Sequence, residues 1–408
     1  MVTRRTIITI PVAVAAAGLA TGTALATASG PRPAPNGVVP RTIARDRKIV
    51  GGRLRTKLEE RLTHLAVTWD GTGATIATKD AAGWTSWKAP DACQGGPDGA
   101  TPSNRALLVA PGITEYEVVL SGEGATGVVT ELNTVDGPVM ATAGEPLAAM
   151  PLPDGAGCPV TYLPRAAWGA DEGLRFSAGV EVWPAEYAPT QALTVHHTAG
   201  ANNDPDPAGT VRANYYYQSV TLGWGDIGYH LLIDQQGLVY EGRWSGANPV
   251  PAFDTTVPAG TDPGLVVAGH AGGYNTGNLG VCLLGNFTNQ GPTPAARATL
   301  VTVLASLARV CEIDPEIVVN YVGPTGNTRT VLGVSGHRDW AATECPGNSF
   351  YPQFPALRSD VKELMTNPPS PSPTATPTTS ASATPSPTPS PSPTPTPTRT
   401  RRKPPRHP

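Results

Sequence analysis

The chain has 408 residues, 39% hydrophobic and 15% charged, with a formal net charge of −3, which leaves room for two or three domains at roughly 100 to 200 residues each. Setting aside the two arginines of the first 28 residues and the five positive charges of the last ten leaves about −10 over residues 29–367. A folded part that acidic is a poor electrostatic match for nucleic acid, so a nucleic-acid partner is excluded at the outset.

The first element, MVTRRTIITIPVAVAAAGLATGTALATASG, has a basic start at Arg4 and Arg5, an uncharged stretch rich in Ile, Val and Ala, and small-residue cleavage options ending at Ala26 or Ala28. That is the pattern of an export signal over residues 1–28, implying a secreted or cell-wall destination with no stable membrane insertion after cleavage. Its apolar run is short for the roughly 20 residues that a membrane span needs. The paired arginines fit a twin-arginine signal only loosely, so the export route stays open.

Residues 61–140 break into short apolar runs separated by Gly, Pro and Asp, among them HLAVTWD, ATIATKD, RALLVA and YEVVLSG. Runs of this length and spacing predict a small all-β domain, a sandwich or barrel, assigned to residues 29–140. Trp69, Trp84 and Trp87 are read as core residues ahead of a sugar-binding platform, because tryptophans in a small β domain are mostly packed. The Ala-, Pro- and Gly-rich stretch 141–160 reads as a linker.

The pattern changes at Thr161. QALTVHHTAG has strand character, DPAGTVRANYYYQSV has helical spacing, GYHLLIDQQGLVYEG reads as two strands about a Gln-Gly turn, and GNLGVCLLGNF as a buried strand. In TPAARATLVTVLASLARVCEID, Thr293 suits an N-cap, Pro294 the first turn, and Leu300, Val303, Leu304, Leu307 and Val310 make one apolar stripe. A last helix runs from about Phe354 to Met365, carrying Leu357, Val361 and Leu364. Strands alternating with amphipathic helices predict an α/β domain over residues 161–367, with a mixed central sheet flanked by helices. From Pro368 the composition collapses into Pro, Ser and Thr and ends in RTRRKPPRHP, which predicts a disordered tail with a basic end over residues 368–408.

Five cysteines, Cys93, Cys158, Cys282, Cys311 and Cys345, make an odd count for an oxidising compartment, so one is left free, intermolecular or metal-bound. A local Cys282–Cys311 link and a Cys93–Cys158 link are among the pairings the sequence allows. Most of the histidines fall in three segments, VHHTAG, GHAGGYN and GHRDWAATECPG. Imidazole and thiolate are the ligands zinc prefers, and a catalytic site uses three of them and leaves a position open. Spacing alone leaves three readings of His337 and Cys345: metal ligands, a loop-capping histidine, or half of a disulfide.

HHTAG, GWGDIGYHLLIDQQGLVYEGR, GHAGGYNTGNLGVCLLGNF and GHRDWAATECPG, in this order, resemble the peptidoglycan recognition protein family and its relatives among the zinc N-acetylmuramoyl-L-alanine amidases of type 2, over about residues 161–365. The resemblance implies that His196, His337 and Cys345 are zinc ligands, with Cys345 held out of disulfide pairing. Members that only bind peptidoglycan typically lack one of these ligands, so the intact set implies an enzyme that hydrolyses the amide between N-acetylmuramic acid and L-alanine. Its partner would be the muropeptide stem. Tyr229 of DIGYH matches the family's catalytic tyrosine, and Thr343 stands two before the cysteine, where relatives carry threonine or lysine; together they would stabilise the oxyanion or orient the water. His270 and Asn275 are placed along the substrate groove, His197 as a packed strand-end residue, and His230 and His64 as structural. The competing reading is a non-catalytic peptidoglycan-binding or wall-attached recognition protein. The chain departs from the family after GRW, where SGANPVPAFDTTVPAGTDPGLVVA is inserted beside the expected groove as a lid, a wall or a neutral surface insertion.

Overall fold

The computed structural model describes residues 37–88, 95–100, 104–142, 147–152, 158–248, 250–254 and 263–367. The segments expected to be an export signal (1–28) and a disordered tail (368–408), and Cys93, lie outside the described residues. No helix among the described residues is long and apolar enough to cross a membrane.

The N-terminal half is built on β1 (Ile43–Ile49), β2 (Arg53–Lys57), β3 (His64–Trp69), β4 (Gly73–Asp80), β5 (Gly83–Lys88), β6 (Asn104–Val109), β7 (Glu115–Ser121) and β8 (Gly127–Asn133). They form two four-stranded antiparallel sheets in the orders β1-β8-β3-β6 and β2-β7-β4-β5, which close on a shared core of Leu65, Val67, Trp69, Ile76, Tyr116, Val118 and Val129. The β domain is thus a sandwich. β3 reads as an almost unbroken apolar run because it is buried on both faces: Leu65 and Val67 enter the sandwich, while Ala66 packs with Leu132, Ala213 and Tyr217 against the other half. β1 and β2 are edge strands whose sequences, IARDRKI and RLRTK, put charge where further pairing must be discouraged. Trp69 is core as expected, whereas Trp84 is 42% exposed, beneath the Arg55 guanidinium; the side chain of Trp87 lies outside the described residues.

The second half carries β9 (Ala148–Met150), β10 (Cys158–Leu163), β11 (Ala192–His197), α1 (Pro207–Tyr216), β12 (Leu231–Ile233), β13 (Val239–Glu241), β14 (Asn278–Leu283), α2 (Pro294–Val310), β15 (Val334–Gly336) and α3 (Phe354–Thr366). The seven strands make one mixed sheet in the order β9-β10-β13-β12-β14-β11-β15. β14 runs parallel to β11 and β12, and β11 parallel to β15. Every residue of β11 and β14 is buried, as expected of parallel strands covered on both faces. The stripe on α2 and the apolar residues of α3 cover one face with Leu193, Val195, Val281 and Leu283; α1, through Val211 and Tyr215, covers the other with Leu232 and Cys282. Thr293 caps α2 by accepting from the Ala296 N–H at 3.2 Å.

Three expectations are corrected. The stretch 141–160 is not simply a linker, since β9 and the start of β10 come from it and extend the central sheet. Cys282 and Cys311 lie in core clusters on opposite faces of that sheet, so the local link is not made. Cys158 is a buried thiol whose pKa burial pushes up. The described parts of the insertion are core, with Val250, Ala252, Phe253 and Leu265 packed in the largest cluster; residues 255–262 lie outside the described residues.

Two polar junctions hold this arrangement. Asp226 accepts from Arg165 Nη1 at 3.0 Å and the Ile227 N–H at 2.8 Å through one oxygen, and from Arg243 Nη1 and the Trp244 N–H, both at 2.9 Å, through the other. Burial pushes this carboxyl up, but the Arg165 and Arg243 guanidiniums outweigh it and hold the pKa below the ordinary value. Between the halves, His64 sits with Nδ1 2.9 Å from Thr63 Oγ1 and Nε2 2.7 Å from Thr210 Oγ1. Burial, helped by Arg212, pushes its pKa down to about 3.

Asp226→Ala is expected to strand two buried guanidiniums and to lower unfolding stability in urea by roughly 3–5 kcal/mol. For His64 the unfolded chain binds a proton near pH 6.5 that the folded chain refuses down to about 3, so stability falls as pH drops through that window, by up to about 1.4 kcal/mol per pH unit for this group. Urea titrations between pH 7 and pH 4.5 should show the decline, and His64→Asn should make it shallower by this one group's share, the other buried histidines still contributing.

Candidate metal site and catalytic cleft

The strand register brings the site together. Alternation along β11 sends Leu193 and Val195 towards α2 and α3, and Thr194 and His196 to the other face. β15 pairs with β11 as Val195 opposite Gly336, so the next residue on each strand, His196 and His337, falls side by side at the carboxyl end of the sheet. Their ring centroids are 4.6 Å apart. After a short turn, the Arg338 N–H donates to the Cys345 carbonyl at 3.0 Å, and Cys345 Sγ accepts from the His197 N–H at 3.3 Å. That leaves the sulfur 3.7 Å from His196 Nδ1.

One donor atom each from His196, His337 and Cys345 lies within 4.8 Å of the others, and all three residues are buried. Among the described residues neither ring nitrogen of His337 has a hydrogen-bond partner, although the residue is fully enclosed. An unpartnered buried polar atom costs about 1–3 kcal/mol, and two imidazoles with a thiol are the donors that a zinc-type cation takes. The residues therefore fit a metal ion.

His270 and Asn275 are not groove-lining residues: they are 1% and 0% exposed, and the expectation is corrected to a positioning role. His270 Nε2 lies 2.8 Å from the Asn278 carbonyl, which can only accept, so Nε2 carries the proton and Nδ1 is left with a lone pair. That lone pair accepts from His196 Nε2–H at 3.0 Å. His196 Nδ1 is thereby kept unprotonated and directed at Cys345. Burial, with the neighbouring histidines adding to it, holds the pKa values of both rings well below the ordinary range, so both stay neutral. Asn275 Oδ1 accepts from the His270 and Ala271 N–H groups, both at 2.8 Å, while Nδ2 donates to the Gly96 carbonyl at 2.8 Å and to Asp98. The loop bearing His270 is thus pinned to the β half. Gly280 is obligatory beside it, since a Cβ there would come within 2.5 Å of His270 Cδ2.

Tyr229, Thr343 and Cys345 line a cavity of about 110 Å³. The Tyr229 ring lies 5.4 Å from that of His196, and Thr343 Oγ1 accepts from the Cys345 N–H at 3.2 Å. His197 points the other way and accepts from the Phe287 N–H at 3.2 Å. Both ring nitrogens of His230 are taken by backbone groups, the Val266 carbonyl and the Gly280 N–H. Arg105, Ala106 and Leu107 from the β half, with Trp224, complete the cavity wall. No local sequence signal marks these residues, because only tertiary packing brings them to the site.

The model of a family described as N-acetylmuramoyl-L-alanine amidase matches residues 186–348. The human N-acetylmuramoyl-L-alanine amidase is 29% identical over 204 residues, 48% of this chain and 28% of that protein. Bovine peptidoglycan recognition protein 1 is 31% identical over 168 residues, 40% of this chain and 70% of that protein. Among solved structures, Drosophila peptidoglycan recognition protein SD is 24% identical with a TM-score of 0.34, covering 47% of this chain and 92% of that one. The chain spans less than a third of the length of the human, mouse and pig amidases.

His270→Leu should leave His196 without its acceptor and free to take the other tautomer. Affinity for a divalent ion such as Zn2+, measured by competition with a chelator, is expected to fall about 10–100-fold.

Proposed function

The chain belongs to the family of peptidoglycan recognition proteins and N-acetylmuramoyl-L-alanine amidases, and from that premise we propose that it is an exported zinc-dependent amidase that cleaves the bond between N-acetylmuramic acid and L-alanine in peptidoglycan. One observation carries the reading: three buried donors converge, and both nitrogens of His337 are without a partner among the described residues. His196, His337 and Cys345 would hold the zinc. When bound, zinc supplies Lewis acidity towards a carbonyl oxygen and makes water more acidic.

The chain's own groups do the rest. His270 holds His196 in one tautomer, so that ligand is oriented before any metal or substrate arrives. Cys345 is presented as an acceptor of the His197 N–H at 3.3 Å, with its sulfur beside His196 Nδ1. Tyr229 stands on the cavity wall with its ring near His196 and offers a hydroxyl donor where negative charge develops on the attacked carbonyl. Thr343 fixes the backbone of Cys345 through its oxygen and keeps its hydroxyl proton for substrate or water. The amine released is the α-amino group of L-alanine, which needs one proton from the solvent-connected side of the cleft.

The test is the appearance of new L-alanine amino termini when the full chain digests peptidoglycan. Amines should appear with zinc and vanish with a chelator or in His196→Ala, and Tyr229→Phe should lower kcat about 10²-fold with a smaller change in KM. Persistent wall binding with no new amino termini under any zinc supply would replace this reading with non-catalytic recognition.

A further inference from the structure

Among the described residues one guanidinium reaches the cleft, and it comes from the β half. Arg105, near the start of β6, lines the same cavity as Tyr229, Thr343 and Cys345. Among the described residues Glu344 is the only carboxylate on that wall, and no ion pair joins it to Arg105. The guanidinium is stacked on Trp224, with Cζ 4.9 Å from the ring centroid, and Nη2 donates to the Gly95 carbonyl. Those two contacts fix the plane of the fork. Its remaining donors have no partner among the described residues, and a guanidinium offers five in a geometry that matches a carboxylate. A fixed cation with spare donors, in a folded part of net charge about −10, is placed to favour an anion where the rest of the surface repels one.

We propose that Arg105 is a specificity-determining residue of the cleft, reading a free carboxylate on the stem peptide close to the scissile amide. The inference rests on the amidase reading and adds the substrate feature that the β half recognises. In a muramyl peptide the residue after L-alanine is a glutamate joined onward through its side chain, so its α-carboxyl is either free or capped as an amide. It is the nearest carboxylate to the bond that is cut. A cavity of about 110 Å³ takes a group of that size, with the sugar and the rest of the peptide lying outside it.

Two muramyl tripeptides that differ only in that group, carboxylate or amide, test the idea with the full chain. The zinc-loaded protein gives KM and kcat by amine release, and calorimetry on metal-stripped protein gives Kd independently of turnover. The wild type should prefer the carboxylate about tenfold or more, the value of one charge-assisted contact. Arg105→Gln should abolish that preference, raising KM and Kd for the carboxylate about tenfold, with kcat within about twofold and the amide compound unaffected. Arg105→Lys, which keeps the charge without the fork or the stack, should recover only part, and melting curves on both variants check the fold. Equal binding of the two compounds by the wild type, or equal losses on both in the variants, overturns the proposal even if hydrolysis is brisk. A Kd preference that disappears in Arg105→Gln, with no hydrolysis of either compound, supports it while overturning the amidase reading.

Discussion

A one-way run of hydrogen bonds, from His196 through His270 to the Asn278 carbonyl, sets the direction of the ring protons of His196 and His270 beside the site. The carbonyl cannot donate, so each ring in turn has a single allowed tautomer, and the free lone pair emerges on His196 Nδ1 beside Cys345. The order would be lost if either ring took a second proton. Enclosure prevents that, because burial disfavours the charged imidazole. The surrounding architecture serves this line: β14 supplies Asn278 from the middle of the sheet, Gly280 leaves room for the His270 ring, and Asn275 holds the His270 amide.

The β sandwich belongs to the same construction. It touches α1 and the turn that follows it through Ala66 and Leu132 against Ala213 and Tyr217, and α1 again through His64 on Thr210. It touches the His270 loop through Gly96 and Asp98 on Asn275. Gly269 shows how close that second approach is, since a Cβ there would lie 2.8 Å from the backbone nitrogen of Pro97. α1 covers the face on which His196 lies, and the loop carries its hydrogen-bond partner. The β half therefore presses on both elements that hold the first histidine in place, and with β6 it walls the cleft as well.

What could be read in the sequence was whatever depends on short-range pattern. β11 and β14 announce themselves as apolar runs because both faces are covered, and α2 shows its stripe and its Thr293 cap. The three donors were legible as linked motifs, and the parallel register of β11 and β15 explains why a histidine at the end of each meets the other. What escaped depends on distant partners. β1 and β2 are charged edge strands that no periodicity distinguishes from loop. β9 is three residues long and gains its identity only from pairing with β10. His270 sits in a Gly-rich segment that resembles an exposed loop, and only the neighbouring β half and β14 make it a buried relay. Arg105 is the second residue of an ordinary strand, and nothing near it in the chain speaks of a cleft.

The manner in which the fold treats its buried polar groups argues that the site is built for an occupant. Asp226 has four donors, two of them guanidiniums, for its two oxygens. His64, His230 and His270 each have both ring nitrogens in hydrogen bonds. A chain that satisfies histidines this thoroughly at the domain junction, behind the sheet and beside the site does not leave His337 unpartnered through loose packing. Among the described residues the two open nitrogens occur where another imidazole and a sulfur converge, and a cation held there would take the lone pair of one of them and recover its cost of about 1–3 kcal/mol. Other buried polar atoms among the described residues, Trp69 Nε1 and Arg212 Nε among them, also lack a partner, but at His337 the open atoms meet a second imidazole and a sulfur, and natural folds break local consistency where function requires.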